Sequence, residues 1–200
     1  RADNRVDVVF EIIEGGIVEI ERISFVGNRS FSDRRLRRVI ETKQAGLLRL
    51  LIRRDTFVKD RIEFDKQLLT DFYKQRGFVD FKILSVNSEL SQTRDSFFVT
   101  FNIQEGQQFQ FGDVDISSVL SGVNPADFEA ALKVKKGQMY SPELVEVTIA
   151  RMERRALELG LDFVVVKPRE SKNEKPLTID LVLEMSQGPR VFIERINISG

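Results

Sequence analysis

Chemistry in this chain has to be done by carboxylates, arginines, hydroxyls or the backbone itself. The 200 residues hold 31 Asp+Glu and 31 Lys+Arg, but no His, no Cys and no Trp. A Ser-His-Asp or Cys-His centre therefore has no parts to be built from. The same absence excludes a disulfide framework and any zinc, iron–sulfur or haem site that needs Cys or His. Carboxylates alone can hold a hard cation, but here none forms a recurrent pair beside a cradle of glycines. There is no Walker phosphate loop and no dinucleotide fingerprint. The expectation is a non-catalytic protein with no cofactor and no metal.

Basic chemistry is the next candidate. Arg34, Arg35, Arg37 and Arg38 crowd one short segment. An RNA-binding KH-like repeat has a comparable strand–helix–helix–strand order, but it needs a Gly-x-x-Gly backbone clamp between its helices. Gly46 stands alone there. Zero formal net charge also argues against a nucleic-acid binder. Arg34 and Arg37 or Arg38 share a face at helical spacing, as on an ordinary solvated surface.

What remains is the backbone, whose unpaired N–H and C=O groups at a sheet edge can take on an extended peptide. Alternating apolar runs occur three times: Val6, Val8, Phe10 and Ile12; Phe97, Val99, Phe101 and Ile103; Ile179, Leu181, Leu183 and Met185. Period two means one apolar face and one polar face. Each run ends at a joint, Glu14-Gly15, Glu105-Gly106 or Gln187-Gly188, spaced by 91 and then 82 residues. After each joint comes a further strand with apolar residues Ile20, Ile23, Phe25; Phe111, Val114, Ile116; or Ile193, Ile196, Ile198. Glu21-Arg22-Ile23 returns as Glu194-Arg195-Ile196. A shared offset at several points marks an internal repeat.

Two helical stretches lie between the strands of each unit. Ser32 is placed to cap the first, with Phe31 and Leu36 as a hydrophobic staple. Asn124, Pro125, Val123 and Phe128 repeat the device. The longer helix of the second unit starts at Ser141-Pro142 and carries Val145, Ile149, Met152, Ala156 and Leu159 as its stripe. The equivalent stripe in the first unit is Ile62, Lys66, Leu69, Tyr73 and Arg76, completed by Leu68 and Phe72. Gly77 and Gly160, 83 residues apart, are expected to end these helices in the left-handed conformation.

The unit is thus strand, helix, helix, strand, strand. The expected division is 1–16 as the last strand of a preceding unit, 17–106 and 107–188 as complete units, and 189–200 as the first strand of a following one. The chain starts at Arg1 without Met or an apolar leader, and is read as a piece of a longer protein. No apolar run is long enough for a membrane-spanning helix.

In this arrangement the sequence resembles polypeptide-transport-associated (POTRA) domains, closest in detail to those of an outer-membrane β-barrel assembly factor. The residues that carry the resemblance are Ile23-Ser24-Phe25-Val26-Gly27-Asn28, Asp71-Phe72-Tyr73 with Arg76-Gly77-Phe78, and Val99-Thr100-Phe101-Asn102-Ile103 with Glu105-Gly106. Gly137-Gln138-Met139-Tyr140 and Gly188-Pro189-Arg190-Val191-Phe192 extend it into the second unit. The resemblance implies an α+β fold of tandem repeats, each with two helices on a three-stranded mixed sheet. Order and spacing match the third and fourth of five repeats. It further implies a periplasmic location in a Gram-negative outer-membrane protein. The implied partners are accessory lipoproteins and unfolded β-barrel precursors, held by strand addition. Other POTRA-bearing transporters, of the two-partner secretion or translocation-and-assembly type, are the nearest alternative.

The resemblance makes the second strand of each unit the exposed edge. In the first unit this strand is expected at Phe78, Val79, Asp80, Phe81, Lys82, Ile83, Leu84, Ser85, Val86 and Asn87, with no Pro or Gly to interrupt it. In the second, the strand starting at Leu161 runs into Pro168, which cannot donate a hydrogen bond, so its edge is expected to be shortened. The basic, apolar loop Leu47, Leu48, Arg49, Leu50, Leu51, Ile52, Arg53 and Arg54 is a secondary contact candidate. Gly106, Gln107, Gly188 and Pro189 are expected hinges, the second stiffened by its proline. The chain is expected to be monomeric, with the terminal strands available to pair with a neighbour's edge.

Overall fold

The computed structural model describes residues 19–44, 59–92 and 96–189. The expected strands at 1–16 and in 190–200, and the loop Leu47–Arg54, lie outside the described residues. By contact density the chain divides into two compact units. One comprises 1–69 with 83–103, the other 70–82 with 104–200.

The first sheet is built from β1 (Glu19–Val26), β2 (Lys82–Leu90) and β3 (Ser96–Gln104), in the order β1-β3-β2. β1 runs parallel to β3, with Phe25 opposite Phe101 and their rings stacked at 5.4 Å. Between β1 and β2 lie the helices α1 (Asp33–Val39) and α2 (Lys59–Lys74), the end of α2 from Thr70 belonging to the other compact unit. Ile20, Ile23, Phe25, Leu36, Ile40, Ile62, Leu69, Val99, Phe101 and Ile103 are buried.

The second sheet repeats this plan. β4 (Gln110–Ser118), β5 (Val164–Asn173) and β6 (Thr178–Gln187) take the order β4-β6-β5, with β4 parallel and β5 antiparallel to β6. α3 (Pro142–Glu158) is its long helix. The short stretch Pro125–Ala131 is a 3-10 helix. Its i→i+3 bonds include Asp127 N–H to the Asn124 carbonyl and Leu132 N–H to the Glu129 carbonyl, both 3.1 Å. Phe111, Phe128, Met152, Ala156, Leu181, Leu183 and Met185 form its core.

The irregular apolar spacing of the first strand in each unit has a structural cause. Register shifts between Ile20 and Arg22 against β3, and between Phe111 and Val114 against β6. Each is a bulge, which moves the next inward residue from i+2 to i+3. Asp180 secures the second bulge, its carboxylate accepting the Asp113 N–H at 2.8 Å. The Asn173 side-chain amide, then that same Asp113 N–H, hold the Asp180 carboxyl below its usual range.

The capping residues behave as expected. Ser32 Oγ accepts from Arg35 N–H at 3.4 Å, and Asn124 Oδ1 from Ala126 N–H at 3.2 Å. Gly77 and Gly160 adopt φ +85° and +75°, the left-handed backbone that ends a helix. The stripe of α2 differs from the expected one. Ile62, Asp65, Leu69, Phe72 and Tyr73 are buried, whereas Lys66 turns outward and pairs with Glu63. Asp65 is fully buried because its carboxylate accepts the N–H groups of Glu41 and Thr42, just past the end of α1. Thr148, the equivalent residue of α3, accepts the Lys133 N–H at 3.2 Å just past the 3-10 helix. A side chain on each long helix thus satisfies the segment leaving the short one.

Candidate partner-binding edge

Residues 78–81 do not belong to the edge strand. The strand begins at Lys82 and continues past Asn87 through Ser88, Glu89 and Leu90. Phe78 and Phe81 turn inward around Tyr73, with centroids 5.5 Å and 4.1 Å away. Val79 packs on the core of the second compact unit, to which residues 70–82 belong. Within that same unit Asp80 pairs with Lys172 at 2.6 Å. These four side chains are consumed by packing and pairing. Period-two apolar spacing alone could not tell a buried turn from a strand.

The outward row of β2 follows from its hairpin. Ser91 N–H donates to the Ser96 carbonyl at 2.8 Å, and Asn102 Nδ2 donates to Ser85 Oγ at 2.8 Å. Opposing numbers run in opposite directions, so β2 is antiparallel to β3. Alternate residues then face β3, and Leu84, Val86 and Ser88 direct their N–H and C=O groups away from the sheet. Among the described residues no hydrogen bond from outside the sheet reaches Lys82–Leu90. Leu84 is 63% exposed and Leu90 44% exposed.

β5 is the equivalent strand of the second unit, and its edge is different. The hairpin bonds set Val86 opposite Phe101; in the second unit Pro168 pairs with Leu183 and Val166 with Met185. Val166 N–H is bonded to Glu153 Oε1 of α3 at 3.1 Å. It therefore points away from β6, as does position 168, where proline has no N–H to offer. Pro168 does not end the strand, which continues to Asn173; it leaves a gap in the outward row only. Further along, Glu170 accepts the Tyr140 hydroxyl at 2.7 Å. Burial, then this bond, pushes the Tyr140 hydroxyl pKa upward.

The other edges are partly covered too. β4 is flanked by the 137–140 segment: Phe111 N–H donates to the Gln138 carbonyl, and Gly137 and Tyr140 donate to Phe111 and Phe109 carbonyls. On β1, Arg37 Nη1 donates to the Ile23 carbonyl at 3.0 Å, so one arginine of the α1 cluster serves the backbone. At the joints, Gly106 has φ +76° and Gly188 N–H donates to the Phe163 carbonyl at 2.6 Å. Among the described residues no group of three His, Cys, Asp or Glu converges to hold a metal ion. No helix there is long and apolar enough to cross a membrane.

A family model described as "Surface antigen variable number repeat", POTRA, matches residues 18–106 and again 109–188. The chain belongs to the POTRA family. Its sequence is 28% identical over 199 residues to "Outer membrane protein assembly factor BamA" of Neisseria meningitidis, covering 100% of this chain and 25% of the relative. It is 29% identical over 198 residues to the protein of that name from Neorickettsia risticii, covering 99% and 26%. The chain thus spans about a quarter of the length of these curated relatives. Its POTRA fold is similar to the crystal structure of Haemophilus influenzae BamA POTRA3-5, with TM-score 0.67, 18% identity and coverage of 95% and 77% of the two chains. POTRA1-2 of Anabaena Omp85 is similar at TM-score 0.51 and 15% identity, covering 87% and 97%.

Proposed function

We propose that this chain is a periplasmic POTRA segment, third- and fourth-like, of a BamA-type outer-membrane assembly factor, and that it works without catalysis. Residues 17–106 and 107–188 are its working units. It receives extended segments of β-barrel precursors and an accessory lipoprotein of β-propeller form by strand addition at β2. Gly106-Gln107 and Gly188-Pro189 are its points of limited bending. The observation that carries this reading is the outward backbone row of β2, which among the described residues takes no hydrogen bond from outside the sheet, beside an exposed Leu84. Backbone pairing there asks little of the partner's side chains, which suits many client sequences. The names of the relatives in sequence support the assembly-factor reading.

A backbone-amide NMR titration tests it. The ligands are a synthetic peptide alternating Phe or Val with Thr or Ser and, separately, the purified lipoprotein. Shifts are expected on Lys82–Leu90. Shifts centred on Leu47–Arg54, or none with either ligand, would overturn the assignment to β2.

A further inference from the structure

The two POTRA units present the same strand at the same edge, yet among the described residues only β2 takes no hydrogen bond from outside its sheet. We propose that Glu153 and Pro168 together close β5, and that this pair, rather than any feature of the partner, confines strand addition to β2. The inference deepens the strand-addition reading and rests on it for the identity of the ligand, an extended peptide.

The geometry is specific. A peptide adding to β5 has to exchange hydrogen bonds with its outward row: Val164, Val166, Pro168, Glu170 and Lys172. Val166 N–H already donates to Glu153 Oε1 at 3.1 Å, from the flank of α3. Two residues on, Pro168 has nothing to donate. The two adjoining donors at the middle of the edge are therefore occupied and missing. Displacing the carboxylate would cost a charge-assisted hydrogen bond, stronger than a neutral one. Val166 is also buried, at 4% exposure, whereas the open edge strand carries Leu84, 63% exposed, as an apolar foothold.

The repeat supplies the counterparts in the first unit. The long helices align by the 83-residue offset that equates Gly77 with Gly160, Leu69 with Met152 and Asp65 with Thr148. On that alignment Thr70 stands where Glu153 stands; the strands align by the 82-residue offset that equates Phe101 with Leu183, which sets Val86 where Pro168 stands. Threonine carries no carboxylate, and valine keeps its N–H. The two positions that close β5 thus have different residue types in the unit whose edge is open.

Exchanging the pair tests the proposal. Glu153→Thr with Pro168→Val is expected to open β5: the alternating Phe/Val–Thr/Ser peptide then shifts β5 amides as well as β2 amides, whereas the unaltered chain responds at β2 alone. Self-pairing through the opened edge, seen as a concentration-dependent dimer, counts equally as opening. Amide hydrogen exchange supplies an arm that needs no ligand. Glu153→Thr alone should speed exchange at Val166 about tenfold while core amides such as Leu181 keep their rates. Equal peptide shifts at β5 and β2 in the unaltered chain, or an unchanged Val166 rate in Glu153→Thr, would overturn the proposal. A peptide that perturbs neither edge in either chain overturns the strand-addition reading alone, and the Val166 rate still decides whether Glu153 closes β5.

Discussion

Asp65 Oδ1 accepts the backbone N–H of Glu41 at 2.7 Å, from a fully buried position on α2. The same carboxylate takes the Thr42 N–H at 3.3 Å. Both donors follow the end of α1, where no helical partner serves them. Asp65→Ala leaves the buried Thr42 N–H and the part-buried Glu41 N–H without an acceptor and should cost about 2–3 kcal/mol. Asp65→Asn keeps one acceptor oxygen and should cost less. Urea unfolding of the two variants checks the order; equal losses would mean that the carboxylate acts by charge or packing alone.

A second prediction concerns the joint glutamate. Tyr73 Oη donates to Glu105 Oε1 at 2.9 Å, and both residues are buried. In the second unit Ala156 and Gln187 occupy these positions, so both partners are exchanged together. A double-mutant cycle of Tyr73→Phe and Glu105→Gln should give a coupling of about 1 kcal/mol. Strictly additive losses would show that the two residues are stabilised separately.

Alkali should weaken the fold through Tyr140. Its folded-state pKa is raised by burial and by its bond to Glu170. The associated stability is therefore complete below the unfolded tyrosine value of about 10 and is lost as pH climbs from there toward the folded value. Denaturant midpoints of the unaltered chain and of Tyr140→Phe at rising pH check this. The deficit of the phenylalanine variant should shrink above about pH 10. Asp180 acts with the opposite sign. Its pKa is lowered, so its contribution is present above the ordinary carboxylate value of 3.8 and fades as pH falls below it.

Proline in the outward row of β2 should separate binding from folding. Val86→Pro removes a donor that the β2–β3 ladder does not use, as Pro168 does in β5. Peptide affinity at β2 is expected to fall about tenfold or more, with dispersed amide spectra retained. An unaltered affinity would place the contact elsewhere than the outward backbone row.

Much of this architecture was legible in residue spacing. Phe97, Val99, Phe101 and Ile103 announced a half-buried strand, and the unusual step from Ile20 to Ile23 carried the bulge in its three-residue interval. Ser32, Asn124, Gly77 and Gly160 marked helix ends by residue type. The misreadings share a cause. Asp65 was invisible because a lone carboxylate in a helix reads as surface until the amides it serves, 23 and 24 residues earlier, are brought beside it. Phe78–Phe81 imitated a strand because Val79 and Phe81 continue the alternation of Ile83, although the segment is a turn that folds Phe78 and Phe81 over Tyr73. Pro168 is expected to shorten its edge; on an edge strand its missing N–H faces outward, so the outward row has a gap while the ladder continues to Asn173. Glu153 offered no sequence signal; only the reach of its side chain to Val166 reveals what it does.

In each sheet the strand by which the chain arrives and the strand by which it leaves are parallel neighbours: β1 beside β3, and β4 beside β6. Arrival and departure therefore lie at opposite ends of one ladder. Tension drawn along the chain pulls those two strands past each other lengthwise. It loads their hydrogen bonds together in shear, where a hairpin pulled from its open end would yield one bond at a time. Pulled along its chain, each unit would yield by shear of that pair, with the edge strand β2 or β5 outside it.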